Sequence, residues 1–179
     1  DKTDFSESGL EPGEYENCQF QSCNFSNVDL NGVYFIECSF SSCNFSMAAI
    51  QGCALRDVKF IGCKMLGLRF DQCNTAMLEM QFENCTLNFS SFFGLRLRKI
   101  RFVKCSLQEV DFTNADLFNA VLDECDLLRA HFENTILERT DFRTSYNYSL
   151  DPEMNMIAGS RHSQDGIAGL LDKYKIEIS

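Results

Sequence analysis

The sequence predicts an all-β solenoid, a chain wound into a ladder that turns a corner every few residues. Three observations point there. Every fifth residue from Phe20 to Phe70 is large and apolar, and after a slip of two residues the series resumes at Met77 and runs to Phe142, giving 25 central positions without a polar residue. All ten cysteines fall in the column two residues before a centre, Cys73 carrying that frame into the slip. Like residues recur 20 apart, as in Cys23, Cys43 and Cys63, in Cys85, Cys105 and Cys125, and in Phe92, Phe112 and Phe132.

A helix buries a face with a period near 3.6 and a strand with a period of 2, so a period of five fits neither alone. A five-residue unit with two inward residues, at the centre and two before it, requires a coil with a corner in each unit. The 20-residue recurrences favour four sides per circuit. The first run of units covers 18–70, and Leu10 and Tyr15 extend it toward the N-terminus. Asp71–Ala76 adds two residues and reads as a corner bulge. The second run covers 77–143, so residues 1–143 form one repeat domain and 144–179 a separate tail.

In the tail, Tyr146–Pro152 reads as a loop with a turn at Asp151-Pro152. Ser163 is placed to cap a short amphipathic helix carrying Ile167, Leu170, Leu171 and Tyr174, and Ile176 and Ile178 alternate like one short strand. An open solenoid end exposes core and unpaired strands, so these six apolar residues are expected to cap the coil or pair two copies of it.

The column of small residue, then Asp or Asn, then Leu or Phe resembles the pentapeptide-repeat proteins, as in Cys23-Asn24-Phe25, Val110-Asp111-Phe112 and Ala115-Asp116-Leu117. The resemblance implies a right-handed quadrilateral parallel β-helix with 20 residues per coil. The tail, with Asp151-Pro152-Glu153 and Gly169–Tyr174, is similar to that of the Qnr/MfpA-type bacterial members, which implies a homodimer made through the C-terminus and a topoisomerase partner. In the quinolone-resistance members longer loops leave the coil, and this chain has none so long.

The 179 residues make about one domain, and 45 % hydrophobic content is too high for a disordered chain. No stretch approaches the ~18 apolar residues of a membrane helix and no leader is visible. The cysteine column is explained by small buried thiols beside wide Phe rings. Ten free thiols in a reducing, cytoplasmic compartment are therefore expected. Cys-x4-Cys spacing and only two histidines, His131 and His162, argue against a metal site. No Ser-His-Asp pattern and no phosphate loop appears, so neither an enzyme nor a cofactor is expected.

The net charge of -10 is unevenly spread. Residues 1–50 and 106–179 are acidic, whereas 51–105 are basic, with Arg96, Arg98, Lys99, Arg101 and Lys104 clustered. That cluster reads as a solvated face, and direct nucleic-acid binding is not expected of so acidic a chain. The expected function is a protein-binding module that mimics DNA toward a basic topoisomerase saddle, through Asp111, Asp116, Asp123, Glu124, Asp126, Glu133 and Asp141, all outside the inward columns. The alternative is a scaffold with another partner.

Overall fold

The computed structural model describes residues 1–177, the Met77 side chain excepted. The short strands are β1 (Gly13–Glu16), β2 (Gln19–Gln21), β3 (Val33–Ile36), β4 (Ser39–Ser41), β5 (Ala54–Ile61), β6 (Leu78–Glu83), β7 (Arg101–Val103) and β8 (Val121–Asp123). Every pairing is parallel, in the order β1-β3-β5-β6-β7-β8, with β2 pairing β4 and β4 pairing β5. Single-residue bridges continue the ladder elsewhere, for example Asp4–Asn24–Asn44–Lys64–Thr86–Ser106–Asp126–Tyr146. The register is 20 residues per coil, as in Phe20 beside Phe40 and Phe40 beside Phe60. This is the four-sided parallel solenoid that the five-residue period requires.

The four sides are named here by their central residues. Side I carries Tyr15, Phe35, Leu55, Leu97, Leu117, Leu137 and Ile157. Side II carries Phe20, Phe40, Phe60, Phe82, Phe102, Leu122, Phe142 and His162. Side III carries Phe5, Phe25, Phe45, Met65, Leu87, Leu107 and Leu127. Side IV carries Leu10, Leu30, Ile50, Phe70, Phe92, Phe112 and Phe132. Sides II and IV lie opposite each other. Every described centre from Phe25 to Phe142 is buried. Rings on one side stack, as in Phe70–Phe92 at 4.6 Å and Phe82–Phe102 at 5.2 Å, and rings on different sides meet edge to face, as in Phe40–Phe45 at 5.0 Å across a corner and Phe92–Phe102 at 5.7 Å across the interior. Each buried Phe contributes about 1.5–3 kcal/mol, and each ring pair adds roughly 0.5–1.5 kcal/mol.

The cysteine column does more than fill space. Cys43, Cys63 and Cys125 donate their thiols to the carbonyls of Phe20, Phe40 and Phe102, the centres one coil earlier, at 3.4–3.5 Å. Thr135, Thr140 and Ser145 make the same bond to Phe112, Leu117 and Leu122 at 2.7–2.9 Å. The column thus favours a small side chain that is also a donor, because a buried carbonyl must be paired. All ten cysteines are free and all but Cys18 are buried. Burial pushes the Cys53 thiol up to about 12.

Three expectations need correction, while the slip at 71–76 is a bulge at the corner as expected. The repeat does not stop at Phe142: bridges Ile136–Met156 and Asp141–Arg161 continue the coil, with Ile157 and His162 in central places and Asn155 donating to the Phe132 carbonyl as Thr135 does to Phe112. The slip is absorbed by two short 3-10 turns, Phe70–Gln72 and Thr75–Met77, which lengthen that coil to the 22-residue offset of Phe60 and Phe82 and leave Thr75 exposed. The tail forms 3-10 segments at Asp165–Leu170 and Asp172–Tyr174 in place of an amphipathic α-helix. Gly166 and Gly169 weaken helix propensity there, and Gly169 is pressed so close to Tyr148 that a Cβ would lie 2.0 Å from its carbonyl oxygen. Finally, Ile176 and Glu177 form no strand, and Ile178 lies outside the described residues.

Two local bonds of the tail fall where the expected cap and turn place them. Ser163 Oγ accepts from Gly166 N–H at 2.9 Å, and Met154 N–H closes a turn on the Asp151 carbonyl at 3.2 Å. Leu170 packs against the core, Leu171 is half-buried, and Ile167, Tyr174 and Ile176 are exposed.

Candidate functional site on the faces of the rod

Each unit presents three residues outward: one before the centre and two after it. The second residue after the centre turns the corner and usually has a positive φ, as at Asn27, Asn84, Asn114 and Gly94. The residue before the centre is often Asp or Asn, because its side chain accepts the N–H two residues on and locks the corner. Asp111 Oδ1 takes Thr113 N–H at 2.9 Å, Asp116 takes Phe118 at 3.1 Å, Asp126 takes Leu128 at 3.2 Å and Asp141 takes Arg143 at 3.1 Å. These four nominated acids are therefore part of the fold as well as of the surface.

The structure distributes the seven nominated acids over all four sides. Asp116 is on side I, where Arg98 Nε donates to it. Asp123, Glu124 and Asp141 are on side II. There Thr144 donates to Asp123 at 2.8 Å, Lys104 lies 3.8 Å from Glu124, and Arg143 at 2.7 Å and Arg161 at 3.9 Å flank Asp141. The Arg143 hydrogen bond holds the Asp141 carboxyl below the usual carboxylate range. Asp126 is on side III, bonded by Gln108 at 2.6 Å and Asn147 at 2.9 Å. Asp111 and Glu133 share side IV.

Side IV gathers acids that the sequence halves concealed. Glu11, Asp29, Asp71, Asp111, Glu133, Asp151 and Glu153 all project from it, and Arg69 is its only Lys or Arg among the described residues. Arg69 is consumed by Asp71 at 2.6 Å: burial raises the Asp71 carboxyl, and Arg69 more than reverses this, leaving it lowered. At the tail end Lys173 reaches Asp151 at 2.6 Å and Glu153 at 2.8 Å, and its hydrogen bonds lower both carboxyls. Opposite, side II is mixed: Lys59, Arg101, Lys104, Arg143 and Arg161 stand among Glu83, Asp123, Glu124 and Asp141, so the acidic side faces away from one of nearly balanced charge. The signal for this was the charge at 20-residue spacing, which a count along the chain averages out.

A second result concerns Phe118, which the five-residue frame places one past a centre and facing water. It is half-buried, with the Arg98 and Arg139 guanidinium groups 5.5 and 5.8 Å from its ring centroid. Among the described residues no group of three or more His, Cys, Asp and Glu could hold a metal ion, and no helix is long and apolar enough to cross a membrane.

Comparison with known proteins identifies the repeat. A model of the pentapeptide repeat region matches residues 14–79 and 34–112, and a model of eight pentapeptide repeats matches 105–143. The chain is a pentapeptide-repeat protein. No curated protein matches it at the level of whole-sequence similarity. Among solved structures, two trypsin-treated variants of QnrB1, a plasmid-mediated fluoroquinolone resistance protein, superpose with TM-scores of 0.65. They share 19 % and 18 % identity, over 93 % of this chain and 90 % and 92 % of theirs. Full-length QnrB1 superposes with a TM-score of 0.50 at 18 % identity, over 97 % of this chain and 95 % of its own. At that identity the likeness is one of fold: this pentapeptide-repeat chain coils as QnrB1 does.

Proposed function

We propose that this pentapeptide-repeat protein is a non-enzymatic protein-binding module whose acidic side imitates part of a DNA backbone toward a DNA-handling protein. The first choice of partner is a type II topoisomerase, DNA gyrase, with protection from quinolones or toxins as the result. The observation that carries the reading is the row of carboxylates along side IV from Glu11 to Glu153, opposed by Arg69 at Asp71 and by Lys173 at the tail end. The fold shared with QnrB1, a fluoroquinolone resistance protein, supports it.

The magnitude of the charge refines the mechanism. Side IV offers roughly one carboxylate per coil, a rise of about 4.8 Å, against one phosphate per ~1.7 Å of duplex. A single rod is thus about a third as dense in charge as DNA. Pairing two copies through residues 163–179 would bring a second acidic row into play. Attraction to a basic saddle would speed encounter and weaken with salt. The other reading is a scaffold for a different partner, favoured by the basic residues Lys59, Arg101 and Lys104 of side II, which a uniform mimic would lack.

A supercoiling assay with purified gyrase, with and without a quinolone, separates the two. The charge test uses Glu11→Lys with Glu133→Lys, because neither carboxylate bonds another group among the described residues. The parent protects or inhibits gyrase and the double variant does not. A parent without effect at micromolar concentration removes the topoisomerase reading, and a double variant as active as the parent removes the mimicry.

A further inference from the structure

The corner between sides III and IV carries side chains that the fold does not require. Among the described non-glycine residues with positive φ, only Met47 (φ 60°) and Phe89 (φ 64°) are apolar; the others are Asn, Ser, Asp, Glu, Lys and Arg. A bulky side chain is disfavoured in that conformation, and Asn tolerates it far better. Met47 and Phe89 are nevertheless 64 % and 59 % exposed, so burial gives nothing back. Both stand on the same corner, two coils apart, with Gly67 between them. A Cβ on Gly67 would lie 2.9 Å from Met47 Sδ: the methionine lies over the glycine and joins the two into one apolar ridge.

A third exposed apolar side chain, Phe93, stands four residues past Phe89 on side IV of the same coil. It is 46 % exposed and stands in the outward column of Glu11, Asp71, Glu133 and Glu153, one place along from Asp71. The apolar patch therefore interrupts the acidic row partway along the rod, with Asp71 on the coil before and Glu109 and Asp111 on the next; Arg69 pairs with Asp71 and Arg129 with Glu109, which leaves Asp111 as the carboxylate of this border outside an ion pair. Carboxylates on this border repel an anionic lipid surface and attract a basic protein. A patch of aromatic and Met side chains inside a charged rim is the arrangement of an interface anchor, where a few desolvated side chains carry most of the binding energy.

We propose that Met47, Phe89 and Phe93 are the apolar anchor with which the acidic side seats on its partner, a protein with an apolar pocket set in a basic surface. This rests on the reading of side IV given above and supplies what its thin charge lacks: affinity that survives salt. The carboxylates steer the encounter and the ridge holds the complex.

The test pairs Phe89→Asn with Phe93→Ser, using DNA gyrase as the probe. Asn is the residue that several equivalent corners already carry, so the thermal midpoint of the variant stays at or above that of the parent. Its affinity for gyrase falls at least about tenfold, with the loss in the dissociation rate and the salt dependence of association retained. Binding within about twofold of the parent overturns the anchor while leaving the acidic side intact. Absence of binding by the parent overturns the partner reading and the anchor with it. A parent that self-associates, and a variant that does not, overturns the anchor in favour of a contact between copies.

Discussion

His162 stacks on Phe142 with ring centroids 5.3 Å apart and planes 7° from parallel, so a histidine takes the place of the next aromatic ring in the side II ladder. Its two nitrogens are bonded at 2.9 Å, Nδ1 to Tyr148 Oη and Nε2 to Ser160 Oγ. The last coil is thus closed by a ring that can take a proton.

That ring makes the end of the rod pH-sensitive. Burial lowers the His162 pKa from 6.5, and Asp141 only partly opposes this. The unfolded chain then binds the proton first, so the contribution is intact above about pH 6.5. It is lost as pH falls from there toward the lowered folded value. The thermal midpoint of the parent should fall between about pH 7.5 and 5.5. His162→Phe extends the stack without a titrating group and should fall less. Equal falls in the two proteins would remove His162 as the source. The lowered carboxyls of Asp71 and Asp141 act in a separate, more acid window, below the ordinary value of 3.8.

The same histidine shows where the sequence was legible and where it was not. Repetition made the core readable: the period of five and the cysteine column locate nearly every buried side chain. A polar residue in a central place broke that pattern, so the coil appeared to end at Phe142 although Ile157 and His162 stand 20 past Leu137 and Phe142. Surface chemistry was less legible because it is read along columns 20 residues apart. Asp111 and Glu133 share a side with Glu11 and Asp29, whereas Asp116, five residues from Asp111, faces another way. The double duty of Asp116 and Asp126 was likewise hidden, since an acid that locks a corner and one that meets a partner look alike in sequence.

Phe102 and Phe118 should differ in cost by less than their positions in the five-residue frame suggest. Phe102 is fully buried between Phe82, Phe92 and Phe112, and Phe102→Ala should destabilise by about 3–5 kcal/mol. Phe118→Ser gives up two cation–π contacts worth roughly 0.5–1 kcal/mol each at an exposed site. Chemical denaturation of both variants gives the comparison. A Phe118→Ser midpoint equal to the parent's would mean that the two arginines contribute nothing through the ring.

Thiol reactivity should report the fold. Burial raises the Cys53 thiol to about 12 and pushes Cys73 up as well, so at about pH 8 neither forms thiolate to any extent. Only Cys18, half-buried in the first coil, should react in the folded protein. Denatured without reductant, the chain should titrate all ten thiols. Fewer than eight would mean disulfides, and rapid reaction of several thiols in the folded state would mean that the coils open.

The tail should decide the assembly state, and its docking can be tested separately. Leu150 N–H donates to the Gly169 carbonyl at 3.0 Å, and Gly169 touches the Tyr148 backbone closely enough to exclude any side chain. Gly169→Ala should therefore lift the 3-10 segment from the end of the rod while leaving the repeats folded. Beyond that contact Ile167, Tyr174 and Ile176 remain 47–55 % exposed. We expect these side chains to be covered by the tail of a second copy. Light scattering should give twice the chain mass of 20.4 kDa for the parent. It should give a single-chain mass for Leu171→Asp, with Gly169→Ala shifted toward the monomer. A monomeric parent would sink the dimer. A parent dimer that persists in both variants would move the contact away from the tail, because no geometry that relies on residues 163–179 survives both a charge at Leu171 and a displaced Gly169.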